Sequence, residues 1–104
     1  MKYILGISLI FITSLFGSLN NGEDVFRAYC WGCHHQTATA FGPSFSKIAN
    51  TRTKNQIITH ISAPKSDFKQ LGYKRTVMPS FGTTLDKKEL NLIVEFILEQ
   101  KGKI

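Results

Sequence analysis

The chain has 104 residues, 42% of them hydrophobic and 19% charged, with a net charge of +6. That length allows a single domain, and no internal repeat or low-complexity run divides it. The positive charge comes without an aromatic–basic stacking surface, which argues against nucleic acid as a partner.

Lys2 supplies a short positive start, and residues 4–16 are apolar apart from Gly6, Ser8, Thr13 and Ser14. Charge and length together read as an export signal, short for a membrane span of about 20 residues. No alanine precedes Ala28, so a small-x-small cleavage site is met poorly near Gly17 or Ser18. Two outcomes stay open for residues 1–18: a signal peptide that is removed, or an N-terminal membrane anchor that is kept. Residues 19–104 form the domain, exported to the periplasm in either case and tethered to the inner membrane if the anchor is kept.

Asn21 is placed to cap a first helix, with Glu23 and Asp24 at the positive end of its dipole. Val25, Phe26, Tyr29 and Cys30 follow at helical spacing, giving an apolar face that leads into Cys30-Trp31-Gly32-Cys33-His34. The order C-x-x-C-H reads as a covalent c-type haem attachment site. On one turn of backbone, two sulfurs can each meet one porphyrin vinyl group, and the next histidine can donate a ring nitrogen to the iron. A redox dithiol or half of a zinc site are the competing readings of the cysteine pair. The first wants a βαβ unit and the second a further ligand pair at knuckle spacing; neither is visible, with only His35 and His60 left over.

Residues 35–40 are small and polar and read as loop, closed by the Gly42-Pro43 turn. Thr53 and Gln56 form a capping-box pattern ahead of Ile57, Ile58 and Ile61, a short helix ended by Pro64. His60 on that helix is the second candidate, after Met78, for an axial ligand of haem iron, but it is expected to face solvent. Another helical turn is expected over 66–71, before the basic segment 72–76. Met78 is the only methionine besides the initiator. A lone methionine usually fills a gap in a core, but Pro79 keeps this one out of regular helix. A thioether on such a loop is a good soft ligand for the second axial position of haem iron. The last helix is the clearest: Asp86 caps it, Glu89 completes the box, and Leu90, Ile93, Val94 and Ile97 recur on one face, with Gly102 expected to end it. No strand alternation occurs, so the class is all-α.

Taken in order, Gly22 and Phe26 before Cys30, the haem motif, Gly42-Pro43, Met78-Pro79 and an aromatic-bearing last helix resemble the class I monohaem cytochrome c family, of the small bacterial periplasmic kind. The resemblance covers residues 22–101. It implies a small cytochrome c fold, with N- and C-terminal helices packed together around one covalently bound haem c. It further implies two thioethers to Cys30 and Cys33, iron ligation by His34 and Met78, and a hydrogen bond from the second ring nitrogen of His34 to the Pro43 carbonyl. Phe41, Phe45 and Ile48 would pack around the ring, and Arg52 would lie near a haem propionate. Gly22 would allow the first helix to approach the last one at Phe96.

With both axial positions filled, no substrate can reach the iron, so the expected function is single-electron transfer and not catalysis. The alternatives are a haem subunit or sensor of a fixed complex, or a small haem enzyme with a labile sixth ligand. Lys65, Lys69, Lys74, Arg75, Lys87 and Lys88 flank the methionine loop. They form either a solvated surface or a docking ring for acidic redox proteins, such as a quinol-oxidising complex and a terminal oxidase or reductase. The protein is expected to work as a monomer. Without its haem, a domain of about 85 residues is small for a self-sufficient core.

Overall fold

Most of the helices begin where the sequence supplies a side-chain acceptor. A computed structural model describes residues 19–103; the expected leader, residues 1–18, lies outside them. Helix α1 spans Gly22–Val25, and the Asn21 side chain accepts from the Asp24 N–H at 2.9 Å. It continues directly as a π-helical turn over Phe26–Cys30, closed by the Trp31 N–H donating to the Phe26 carbonyl at 2.9 Å. Helix α2 is Phe45–Thr51, capped by Ser44; α3 is Lys54–Ser62, with the Thr53/Gln56 capping box formed in both directions. Helix α4 is the single turn Pro64–Asp67, and α5 is Lys87–Glu99, with the Asp86/Glu89 box also complete. No strand occurs among the described residues, so the all-α class holds.

Helix α5 is the post against which α1, α2 and α3 all pack. Its buried residues Ile93, Val94, Phe96 and Ile97 fall on one face, as the 3.6-residue period requires. The tightest contact is with α1. A Cβ on Gly22 would collide with the Phe96 Cβ and lie 2.5 Å from the Leu92 carbonyl oxygen. Glycine is therefore the residue that lets the two backbones meet, as the resemblance implies. Just beyond it, Phe26 stacks on Phe96 at 5.5 Å between centroids, and Phe45 of α2 meets Phe26 edge-on at 5.2 Å. Each such aromatic pair contributes about 0.5–1.5 kcal/mol beyond its buried area.

Two local expectations differ from the structure, and helix α2, capped by Ser44, is an element that the sequence pattern does not announce. The turn expected over 66–71 starts earlier, because Pro64 occupies the first position of α4 and its fixed φ suits a helix start. Helix α5 stops at Glu99, and Gly102, at φ +83°, sits in the turn beyond it.

Candidate functional site

Between α2, α3, α5 and the 73–81 loop lies a mainly apolar cavity of about 250 Å³. Cys30, Cys33, His34, Pro43, Arg52 and Met78, drawn from four separate stretches of sequence, all line it.

The cysteines reach it through the end of the first helix. The His34 and Cys33 N–H groups both donate to the Cys30 carbonyl, at 3.0 and 3.2 Å, which turns the chain back on itself. Both cysteines are free thiols, Cys33 exposed and Cys30 half-buried. Burial pushes the Cys30 thiol up to about 12, with the neighbouring Cys33 adding to the shift, so this sulfur is held as a neutral thiol.

His34 is fixed more tightly. Its Nδ1–H donates to the Pro43 carbonyl at 2.8 Å, which commits that nitrogen and leaves Nε2 with a free lone pair. Burial holds the imidazole below its ordinary value, partly offset by the Pro43 carbonyl, while the charge of His60 adds to the lowering. A neutral imidazole with one nitrogen anchored is the form that ligates a metal. The Phe45 ring lies beside it, tilted by 31° at 5.5 Å. The loop carrying Pro43 is held by the Gly42 N–H on the Cys33 carbonyl, and by the Phe45 and Ser46 N–H groups on the carbonyls of His35 and Gln36.

Gly42 is a functional position that the sequence reading did not separate from an ordinary turn. A Cβ there would stand 2.6 Å from His34 Cε1 and 2.9 Å from Nδ1. The absence of a side chain is what leaves room for the ring. Its signal was the pairing with Pro43 at a fixed distance after the histidine.

Met78 lies in irregular chain before Pro79, partly buried against the core. The loop behind it is pinned to the end of α3: the Phe81 N–H donates to the Ile61 carbonyl at 3.0 Å and the Ser80 hydroxyl to the Ser62 carbonyl. Tyr29 meets Phe81 edge-on at 6.1 Å, linking the cysteine turn to the methionine loop. Arg52 also lines the cavity, with one guanidinium N–H on the Leu71 carbonyl at 2.8 Å and its plane over Tyr73. Phe45 and Ile48 line the cavity as expected, whereas Phe41 lines it at the rim and is 76% exposed.

His60 departs from expectation. It does not face solvent but lines the cavity wall, with its Nδ1 on Asp67 Oδ1 at 2.7 Å. The helical pattern of α3 could not reveal a partner on the following turn, beyond the bend at Ala63.

The donor set fits haem c. Two free thiols, an anchored imidazole with one open nitrogen, and a thioether share one apolar cavity. The family model described as cytochrome C oxidase, cbb3-type, subunit III matches residues 17–97. The chain belongs to this family. It is also 27% identical over 85 residues to cytochrome c6 of Petalonia fascia, covering 82% of this chain and 95% of that protein. Cytochrome c6 of Alaria esculenta is 26% identical over 85 residues, covering 82% and 94%. No solved structure matches the chain. The protein is thus a class I monohaem c-type cytochrome with covalently attached haem c, an electron-transfer protein.

Gly42→Ala should leave the haem attached, since both cysteines remain, but displace the His34 ring. Overpacking of this kind costs about 1–3 kcal/mol, read as a lower urea midpoint with unchanged slope. Loss of the Nδ1 hydrogen bond makes the imidazole a poorer donor, so the reduction potential should rise. Redox titration alongside unfolding checks both; an unaltered midpoint and potential would show that the ring does not depend on this glycine.

Proposed function

We propose that this cytochrome is a carrier of single electrons between redox proteins, with its haem iron held by His34 and Met78. The observation that carries the reading is that Met78 lines the same cavity as His34 on a loop fixed at its far side. Bound haem supplies a reversible one-electron couple. The sulfurs of Cys30 and Cys33 would hold it to the chain, and Nε2 of His34 would donate to its iron while Nδ1 stays on Pro43. The Met78 thioether would be the second protein donor and would leave small molecules no open position. The apolar walls from Phe45, Ile57, Ile61 and Ile93 exclude water, which favours the less charged reduced state and, with the thioether, raises the potential.

Lys65, Lys69, Lys74, Arg75, Lys87 and Lys88 are all exposed. None joins a salt bridge among the described residues. Arg75 lines the cavity, and exposed positive charge outside any salt bridge supports docking to acidic redox proteins, such as a quinol-oxidising complex or a terminal oxidase or reductase. The periplasm is the compartment that the expected export signal suits. A second reading, a haem subunit fixed within an oxidase, draws on the family description itself; a chain that purifies only inside such a complex would favour it.

If Met78 is the sixth ligand, the purified protein should be low-spin and bind carbon monoxide poorly when reduced. Met78→Ala should bind it readily and show a lower potential. A wild-type protein that is already high-spin and takes up carbon monoxide would return Met78 to a packing role and favour an enzyme or sensor.

Replacing Lys74, Lys87 and Lys88 by glutamine should slow association with an acidic partner. The loss should shrink as salt rises, because exposed charges are screened beyond about 8 Å at physiological ionic strength. Stopped-flow rates that are independent of salt and equal in the triple variant would leave these lysines a solubility role only.

A further inference from the structure

The ion pairs Arg27–Glu23 and Lys54–Glu95 lie at the surface, with side chains at least half exposed. His60 and Asp67 differ. Their side chains are only 20% and 10% exposed, they sit 2.7 Å apart, and His60 lines the cavity assigned to the haem. Electron carriage by Cys30, Cys33, His34 and Met78 gives this pair no task. A carboxylate so shielded needs a hydrogen-bonded partner, but a serine or asparagine donor elsewhere would serve, and would not put a second titratable ring on the cavity wall.

With Nδ1 committed to Asp67, the other ring nitrogen of His60 is its only site for a further proton. The polar surroundings are few. Tyr73 lies 5.9 Å from the His60 ring, and the Arg52 guanidinium lies 5.6 Å over the same tyrosine. Arg75 and His34 line the same cavity, while α5 presents only apolar Ile93 and Ile97 to it. Asp67 is thus the one carboxylate against the His60 ring, while Arg52 and Arg75 bring positive charge to the same cavity.

We propose that His60, oriented by Asp67, is a proton site coupled to the electron that this cytochrome carries. An electron delivered by a redox protein adds one negative charge to a shielded cavity, where charges interact several times more strongly than in water. That charge favours the imidazolium, so the reduced protein binds up to one more proton than the oxidised one. The proton comes from water and forms one N–H bond at Nε2 of His60; Asp67 remains a carboxylate and no other bond changes. By linkage, the proton favours the electron to the same extent. In this role His60 compensates charge and Asp67 positions it.

The inference rests on the haem lying in this cavity, so each sample is first denatured to verify covalent haem by its visible spectrum; failure there counts against the haem reading and not against the coupling. The test is the midpoint potential of haem-loaded protein between about pH 5 and 8, where imidazoles titrate. Wild type should lose potential as pH rises through this window. His60→Gln, which keeps a hydrogen-bonding side chain for Asp67, should be level across it. Asp67→Asn should keep the dependence but move it to lower pH, because the imidazolium has lost its counter-charge. A level wild-type profile overturns the proposal. So does a wild-type slope in His60→Gln, which would assign the proton to His35 or to the haem carboxylates. Should His60→Gln fail to load haem, an Asp67→Asn profile that superimposes on wild type is the overturning result.

Discussion

The hydrogen bond from His34 to the Pro43 carbonyl is the constraint that the rest of the site depends on. It fixes which nitrogen faces the cavity, and the neighbouring structure serves to keep it. Gly42 gives up its side chain so that the ring fits, and the Gly42 N–H returns to the Cys33 carbonyl to close the loop. Phe45 braces one side of the ring while anchoring the aromatic cluster with Phe26 and Phe96. A single residue thereby ties the metal-binding imidazole to the packing of the first and last helices.

That coupling matters because the domain is small. Ile57, Ile61, Leu85, Ile93 and Ile97 belong to the buried core and also line the cavity. Their apolar surface is divided between the helices and the cofactor, so haem completes a core that about 85 residues would otherwise fill poorly. The π-helical turn at Phe26–Cys30 fits the same logic. It adds a residue to the turn that ends at Cys30, and such turns occur often at functional sites. Structure and electron transfer therefore share one set of side chains.

Features decided by near neighbours could be read in the sequence. The Thr53/Gln56 and Asp86/Glu89 boxes are complete within four residues, and both helices start where those residues indicate. Cys30, Cys33 and His34 stand together in the sequence in the same way, and the structure brings all three to one cavity. The Gly22–Phe96 approach and the Pro43 bond required the family resemblance, since the partners lie far apart or the local pattern fits a plain turn. What stayed hidden depended on contacts between elements. The π turn has no composition of its own. Helix α2 carries only one apolar face of seven residues, and Gly42 declares its role only once the His34 ring is placed. His60 reads as a polar interruption in an isoleucine helix until the bend at Ala63 brings Asp67 under it. The Arg52 guanidinium was expected beside a propionate; it lines the cavity, and its visible partner is the Leu71 carbonyl.

Covalent attachment is the claim on which the account stands, and it can be measured directly. Purified holoprotein is unfolded in denaturant and extracted with acidified acetone, and the polypeptide is then weighed by mass spectrometry. The account predicts that the haem stays with the chain and that the mass exceeds the polypeptide by one haem, held at Cys30 and Cys33. Haem that passes freely into the acetone, leaving both thiols open to alkylation, would contradict it.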